Sequence, residues 1–157
     1  MARTQNSTAE LAEQLTDEPA CSIERSLEVL GERWTFLILR QLFRGQTRFS
    51  ELRESLGIGP NLLSARLRTL TDAGVVETAP YQEIGARQRQ SYHLTEAGSE
   101  LWVVLLGLQQ WGDVHRPRPA GPSAARRSKT TGKAVRVAFV DEDGVEVPVD
   151  EVEVLAR

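Results

Sequence analysis

The chain has 157 residues, 40% of them apolar, enough for one folded domain with appendages and too apolar for wholesale disorder. A single cysteine, Cys21, and two histidines, His93 and His115, exclude a disulfide framework and a multi-cysteine zinc site and make most hydrolase and metalloenzyme readings poor. A net charge of −3 argues at face value against nucleic acid. The distribution of that charge argues otherwise.

Residues 1–21 carry one arginine against four acids, whereas residues 22–119 carry twelve arginines against eleven acids. Residues 120–157 place Arg126, Arg127, Lys129, Lys133 and Arg136 first and then seven acids between Asp141 and Glu153. A near-neutral middle rich in arginine can present a basic face if its acids point elsewhere. The longest apolar run, Leu101–Leu108, is far too short to span a bilayer. Met1–Asp17 is polar and acidic, with no segment a signal peptidase would read. The expectation is a cytoplasmic protein with no membrane partner and no cofactor.

Residues 1–20 read as a flexible tail with at most a short helix near Ala9–Leu15, ended by Pro19. The folded domain spans 21–116. Ile23, Leu27 and Leu30 recur at helical spacing and stop at Gly31. A second helix, about Trp34–Arg44, ends at Gly45, and a third, about Phe49–Leu56, ends at Gly57. Pro60 suits the first position of a fourth helix running to about Ala73. Val75–Tyr81 and Arg89–Leu94 then read as strands around a polar loop, and Thr95 caps a last helix carrying Leu101, Trp102, Leu105, Leu108 and Trp111. Pro117–Gly132, rich in proline, glycine, serine and basic residues, reads as a linker. Residues 133–157 read as a C-terminal β-hairpin: Val135, Val137 and Phe139 alternate ahead of an Asp143-Gly144 turn, and Val145, Val147 and Val149 follow it. A lone hairpin is marginal in water, so this one must pack on something.

The order is four helices, strand, loop, strand, helix. Two short helices separated by Gly57-Ile58-Gly59 and followed by a β-hairpin outline a winged helix-turn-helix, mainly α with a small β-wing (α+β). In such a unit the third helix braces the fourth in the major groove and the hairpin loop reaches a neighbouring minor groove or phosphate row. On a helical wheel at ~100° per residue, Leu63, Leu67 and Leu70 mark the core side of the fourth helix. Asn61, Ala65, Arg68 and Thr69 face outward, with Ser64 and Arg66 on the flanks. Arginine pairs with guanine, asparagine with adenine, and alanine or threonine packs on a thymine methyl; an ordinary solvated helix face has the same look. In the wing, Arg87 and Arg89 accompany Gly85 with Glu83 as the one acid, which suits the negative potential of a narrow minor groove. Arg48, just ahead of the third helix, is placed for phosphate.

Several blocks, in order and properly spaced, resemble the HxlR-type regulators. They are Cys21-Ser-Ile-Glu-Arg-Ser-Leu-Glu-Val-Leu-Gly-Glu-Arg-Trp34, Trp34-Thr-Phe-Leu-Ile-Leu-Arg-Gln-Leu42, Arg48-Phe-Ser-Glu-Leu52, Leu63-Ser-Ala-Arg-Leu-Arg68, Gly74-Val-Val and Tyr92-His-Leu-Thr-Glu-Ala-Gly98. The resemblance covers about residues 21–113 and implies a homodimeric winged-helix transcriptional regulator, related in fold to the MarR group, that binds palindromic operators in double-stranded DNA. The chain departs from the family pattern where Gly59 replaces a capping serine and Gly85-Ala86 replace a proline pair in the wing. The resemblance also places Cys21 where some members carry a thiol that senses oxidants or electrophiles. Helix amino termini favour thiolate over thiol, although a lone cysteine also serves as an inert apolar residue.

A two-fold interface is expected from Ile23, Leu27, Leu101, Trp102, Leu105, Leu108 and Trp111, with packing inside one subunit as the rival account for some of them. Two recognition helices would then lie about 34 Å apart, one turn of DNA. A catalytic reading finds little support. Gly57-Ile58-Gly59 lacks the third glycine and the preceding strand of a dinucleotide loop, and nothing brings Cys21 near His93. No motif identifies an effector; a small-molecule pocket near Trp34 or Trp102 competes with a core role for those aromatic residues. The alternative to DNA binding is a winged helix used for protein contacts, in which Arg68 and Arg87 would be dispensable.

Overall fold

A computed structural model describes residues 21–155. The helix expected near Ala9–Leu15 lies outside the described residues. Helices α1 (Ser22–Leu30), α2 (Arg33–Phe43), α3 (Phe49–Leu56) and α4 (Pro60–Asp72) precede strands β1 (Val76–Tyr81) and β2 (Arg89–Leu94), and α5 (Glu96–His115) follows. The winged helix-turn-helix is therefore formed with the element order expected from periodicity and punctuation. Among the described residues no helix is long and apolar enough to cross a membrane.

The core explains the order. Ile38, Leu39, Leu52, Leu63, Leu67, Leu70 and Val76 are almost wholly buried, drawn from α2, α3, α4 and β1 in turn. Ile58, 3% exposed, pins the turn between α3 and α4 to that core. Gly57 beside it has φ of +61°, a left-handed conformation that glycine adopts without steric cost. The turn angle that sets α4 against α3 thus depends on one buried isoleucine and one glycine.

β1 and β2 pair antiparallel from Val76 opposite Leu94 to Tyr81 opposite Arg89. A third segment joins them, because Arg48 bridges to Ser91 and the Tyr92 N–H donates to the Thr47 carbonyl at 2.8 Å. The wing is thereby hydrogen-bonded to the residues that open α3. Thr95 closes its base by accepting from the Gly98 N–H at 3.1 Å while its hydroxyl donates to the Gly74 carbonyl at 2.6 Å.

Beyond α5 the structure differs from the expectation in two ways. The C-terminal hairpin is short: β3 (Phe139–Val140) pairs with β4 (Glu146–Val147), and a single 3-10 turn, Val149–Glu151, follows. Its turn is held by Asp141 Oδ1, which accepts from the Asp143 and Val145 N–H groups at 3.0 and 2.9 Å. The longer alternation at Val135–Val137 does not extend the hairpin because its backbone is bonded elsewhere, the Val135 N–H to the Arg126 carbonyl at 3.1 Å and Val137 to α5. Gln110 Nε2 donates to the Val137 carbonyl and Gln110 Oε1 accepts from the Val137 N–H, each at 2.9 Å.

The stretch read as a linker is also fastened down. Arg126 pairs with Asp113 at 3.0 Å, with both side chains under one-fifth exposed. Gln109 Nε2 donates to the Ala124 carbonyl at 3.1 Å, and Arg127 bridges to Ala134. Proline and glycine made this segment look free, yet α5 holds it through Gln109 on its backbone and Asp113 on the Arg126 side chain.

Candidate nucleic-acid interface

α4 presents its apolar row to the core and a different row outward. Leu63, Leu67 and Leu70 are buried, while Asn61, Ser64, Ala65 and Arg68 are exposed. The geometry follows from 3.6 residues per turn with leucine at helical spacing. Thr69, half-buried, donates its hydroxyl to the Ala65 carbonyl at 3.1 Å. Before Asp72, α4 has no acidic residue, so negative charge on its outward side must come from neighbouring elements.

Two flanking arginines have intramolecular partners that the sequence did not reveal. Arg66 turns toward the core side of the turn before α2 and pairs with Glu32 at 3.4 Å, with its Nε buried and unpartnered. That geometry ties α4 to the α1–α2 junction, away from the outward row. Arg48 pairs with Glu83 in the wing loop at 2.5 Å. Its guanidinium also lies 4.8 Å over the Tyr81 ring, and Glu51 stands 4.0 Å away. Glu51 additionally accepts from the Thr47 and Arg48 N–H groups at 3.1 and 3.0 Å, so a carboxylate already covers the start of α3.

Arg68, Arg87 and Arg89 are exposed, and nothing among the described residues pairs with them. Arg53 on α3 is equally unpaired and was not singled out in the sequence. It stands four residues after Phe49, on the same side of α3, and both line the cleft described next. Phe49, Ser50, Arg53, Ser64, Tyr81, Arg89, Gln90 and Tyr92 line an open cleft of about 560 Å³ between α3, α4 and the wing. Burial raises the pKa of the Tyr92 hydroxyl above its ordinary value. On the same strand the Ser91 hydroxyl donates to the Ala79 carbonyl at 2.9 Å and lies 2.9 Å from His93 Nε2. These contacts tie β2 to β1 midway along the wing.

A separate apolar surface lies on α1 and α5. Ile23 is 72% exposed, Leu27 53%, Leu108 51% and Trp111 57%. Trp102 is also exposed but stacks on Phe43 with ring centroids 4.5 Å apart. Leu105 belongs elsewhere: it is buried in the protomer's own core, and Leu101 is partly buried against that core. Val103, Val104 and Val114 are exposed as well and were missed, because α5 is apolar on nearly every side. Trp34 packs partly buried against the core. Cys21 is exposed ahead of α1, and its Sγ accepts from the Glu24 N–H at 3.4 Å.

Comparison with known proteins bears on this geometry. A family model described as HxlR-like helix-turn-helix matches residues 29–119. An uncharacterized HTH-type transcriptional regulator of Mycobacterium tuberculosis is 46% identical over 112 residues, 71% of this chain and 70% of that protein. The crystal structure of PA1607, a candidate transcription factor, superimposes with a TM-score of 0.76 at 31% identity, over 91% of this chain and 99% of that one. Such coverage needs residues beyond α5, so the likeness includes the C-terminal extension. The redox regulator HypR in its reduced form superimposes with a TM-score of 0.55 at 29% identity, over 61% of this chain and 94% of that one.

Proposed function

The chain belongs to the HxlR-like helix-turn-helix family of transcriptional regulators, and on that premise we propose that it binds operator DNA in a sequence-specific way as a homodimer. The carrying observation is the outward row of α4, where Asn61, Ser64, Ala65 and Arg68 stand exposed without an acid before Asp72. Asn61 and Arg68 read base edges in the major groove, with Ala65 and Ser64 admitting the helix to it. Arg87 and Arg89 reach the minor groove or phosphates from the wing, and Arg53 adds a phosphate contact across the cleft. Arg66, engaged with Glu32, holds α4 in register.

The two-fold axis runs through the exposed apolar residues of α1 and α5, which bury on association what one protomer leaves in water. A palindromic operator follows from that symmetry, with half-sites about 34 Å apart. Cys21 is the point at which an oxidant or electrophile acts. The support is its exposed position at the start of α1 and the fold shared with HypR, itself named a redox regulator.

The test is fluorescence anisotropy with DNA from the upstream region of the protein's own gene, beside a random duplex, across a salt series. Arg68→Ala should reduce discrimination at one base pair by about 1–3 kcal/mol and leave binding to the random duplex little changed. Unchanged specificity in Arg68→Ala would show that α4 is not read in this register. Absence of binding by the unmodified protein at low salt would favour a winged helix used for protein contacts.

A further inference from the structure

We infer that Glu83 competes with the DNA backbone for Arg48, a carboxylate in the wing standing where a phosphate would otherwise be. The inference rests on the DNA-binding reading above and concerns how strongly that binding responds to salt.

Of the arginines on this face, Arg53, Arg68, Arg87 and Arg89 have no partner among the described residues, whereas Arg48 has three. Glu83 holds its Nη1 at 2.5 Å, the Tyr81 ring lies under its guanidinium at 4.8 Å, and Glu51 stands 4.0 Å from its Nε. Glu51 is committed to the start of α3 through the Thr47 and Arg48 N–H groups. Tyr81 supplies a ring face that holds the guanidinium without neutralising it. Glu83 differs from both. It sits in the wing loop, is more than half exposed, and its carboxylate has no other partner among the described residues. Among the described residues, Arg48 is the one group that carboxylate engages.

The consequence for DNA is a matter of exchanged ions. An unpaired arginine that meets a phosphate releases about one counterion and adds about one unit to the salt slope. An arginine already paired with a carboxylate must first leave it, so the phosphate contact competes with the ion pair and is made only part of the time. The net release at Arg48 is therefore less than one. Glu83 also brings a negative charge toward the phosphates, which weakens binding of every sequence alike. Because the pair is exposed, the effect on affinity is modest, and the salt slope is the sharper readout.

The experiment measures binding of the full chain to a random duplex from about 50 to 300 mM salt for four proteins. These are the unmodified chain, Glu83→Gln, Arg48→Ala and the double variant. Glu83→Gln should tighten binding about two- to fivefold at 100 mM salt and steepen the slope by up to about one unit. In the Arg48→Ala background the same substitution should change the slope far less, because only the direct repulsion between Glu83 and the phosphates is removed. Two results would overturn the inference: an unaltered slope in Glu83→Gln, or weaker binding, which would make Glu83 a brace that positions Arg48. Failure of the underlying reading looks different, because the unmodified chain would then bind no duplex even at 50 mM and the inference would fall with it.

Discussion

Gly98→Ala sets helix propensity against a close backbone contact. Gly98 lies in the first turn of α5, where alanine would ordinarily gain up to about 1 kcal/mol over glycine. A Cβ built there would stand 2.1 Å from the Val75 carbonyl oxygen and 3.2 Å from Leu94 Cδ2. The nearer atom is backbone, and it is tethered: the Val75 carbonyl accepts from the Thr95 N–H at 3.2 Å. Relief of more than an ångström can come only from lifting α5 off the end of β1. That movement strains the cap in which Thr95 accepts from the Gly98 N–H, and a lost cap costs ~1 kcal/mol. Overpacking a closed site costs about 1–3 kcal/mol more. After subtracting the propensity gain, Gly98→Ala should be destabilising by about 1–3 kcal/mol, lowering the melting temperature by roughly 2–12 °C for a chain of this size. Denaturant titration with a thermal scan checks it. An equal or higher melting temperature would mean that propensity wins and that α5 does not approach β1 so closely.

Other consequences are equally direct. Leu27→Ser combined with Trp111→Ser, both exposed in the protomer, should weaken self-association at least about tenfold in sedimentation equilibrium; an unchanged dissociation constant would place the two-fold elsewhere. Asp113→Ala leaves the mostly buried Arg126 cation without its partner and should cost about 1–3 kcal/mol. Hydrogen exchange should accelerate over residues 124–137, and adding Arg126→Met should recover part of the loss; equal protection in Asp113→Ala would show that the pair does not hold the extension. Cys21→Ser should abolish release of operator DNA by diamide, and persistence of release would remove Cys21 from the response.

The winged helix was legible because its signals are local. Leucine spacing in α4 gives the core row, and with it the outward positions of Asn61 and Arg68, without any knowledge of the fold. Glycines at 57 and 74 end helices where the chain must turn, and Thr95 caps α5 as its residue type suggests. What escaped the sequence depends on residues distant along the chain. Arg66 meets Glu32, and Arg48 meets Glu83, and no periodicity links those positions. The split of α5 between two surfaces escaped for another reason. Leu105 and Leu108 belong to one continuous apolar run, yet one is core and the other exposed. Hydrophobic pattern cannot separate own core from partner when nearly the whole circumference is apolar.

The C-terminal extension gives that last point a structural answer. α5 presents Val104, Leu108 and Trp111 at i, i+4 and i+7, a row that shares one face. Gln110 and Asp113 lie on a different face, and these are the side chains that hold Val137 and Arg126. The extension therefore covers the polar flank of α5 and leaves the Val104–Leu108–Trp111 row exposed. Its own attachment depends on amide and ion-pair bonds that need matched partners, while the open row can meet any apolar surface. A directional contact on one side and an unspecific one on the other restrict which face of α5 a second copy can take. In the proposed dimer, the extension would leave the Val104–Leu108–Trp111 row as the side of α5 open to a second copy.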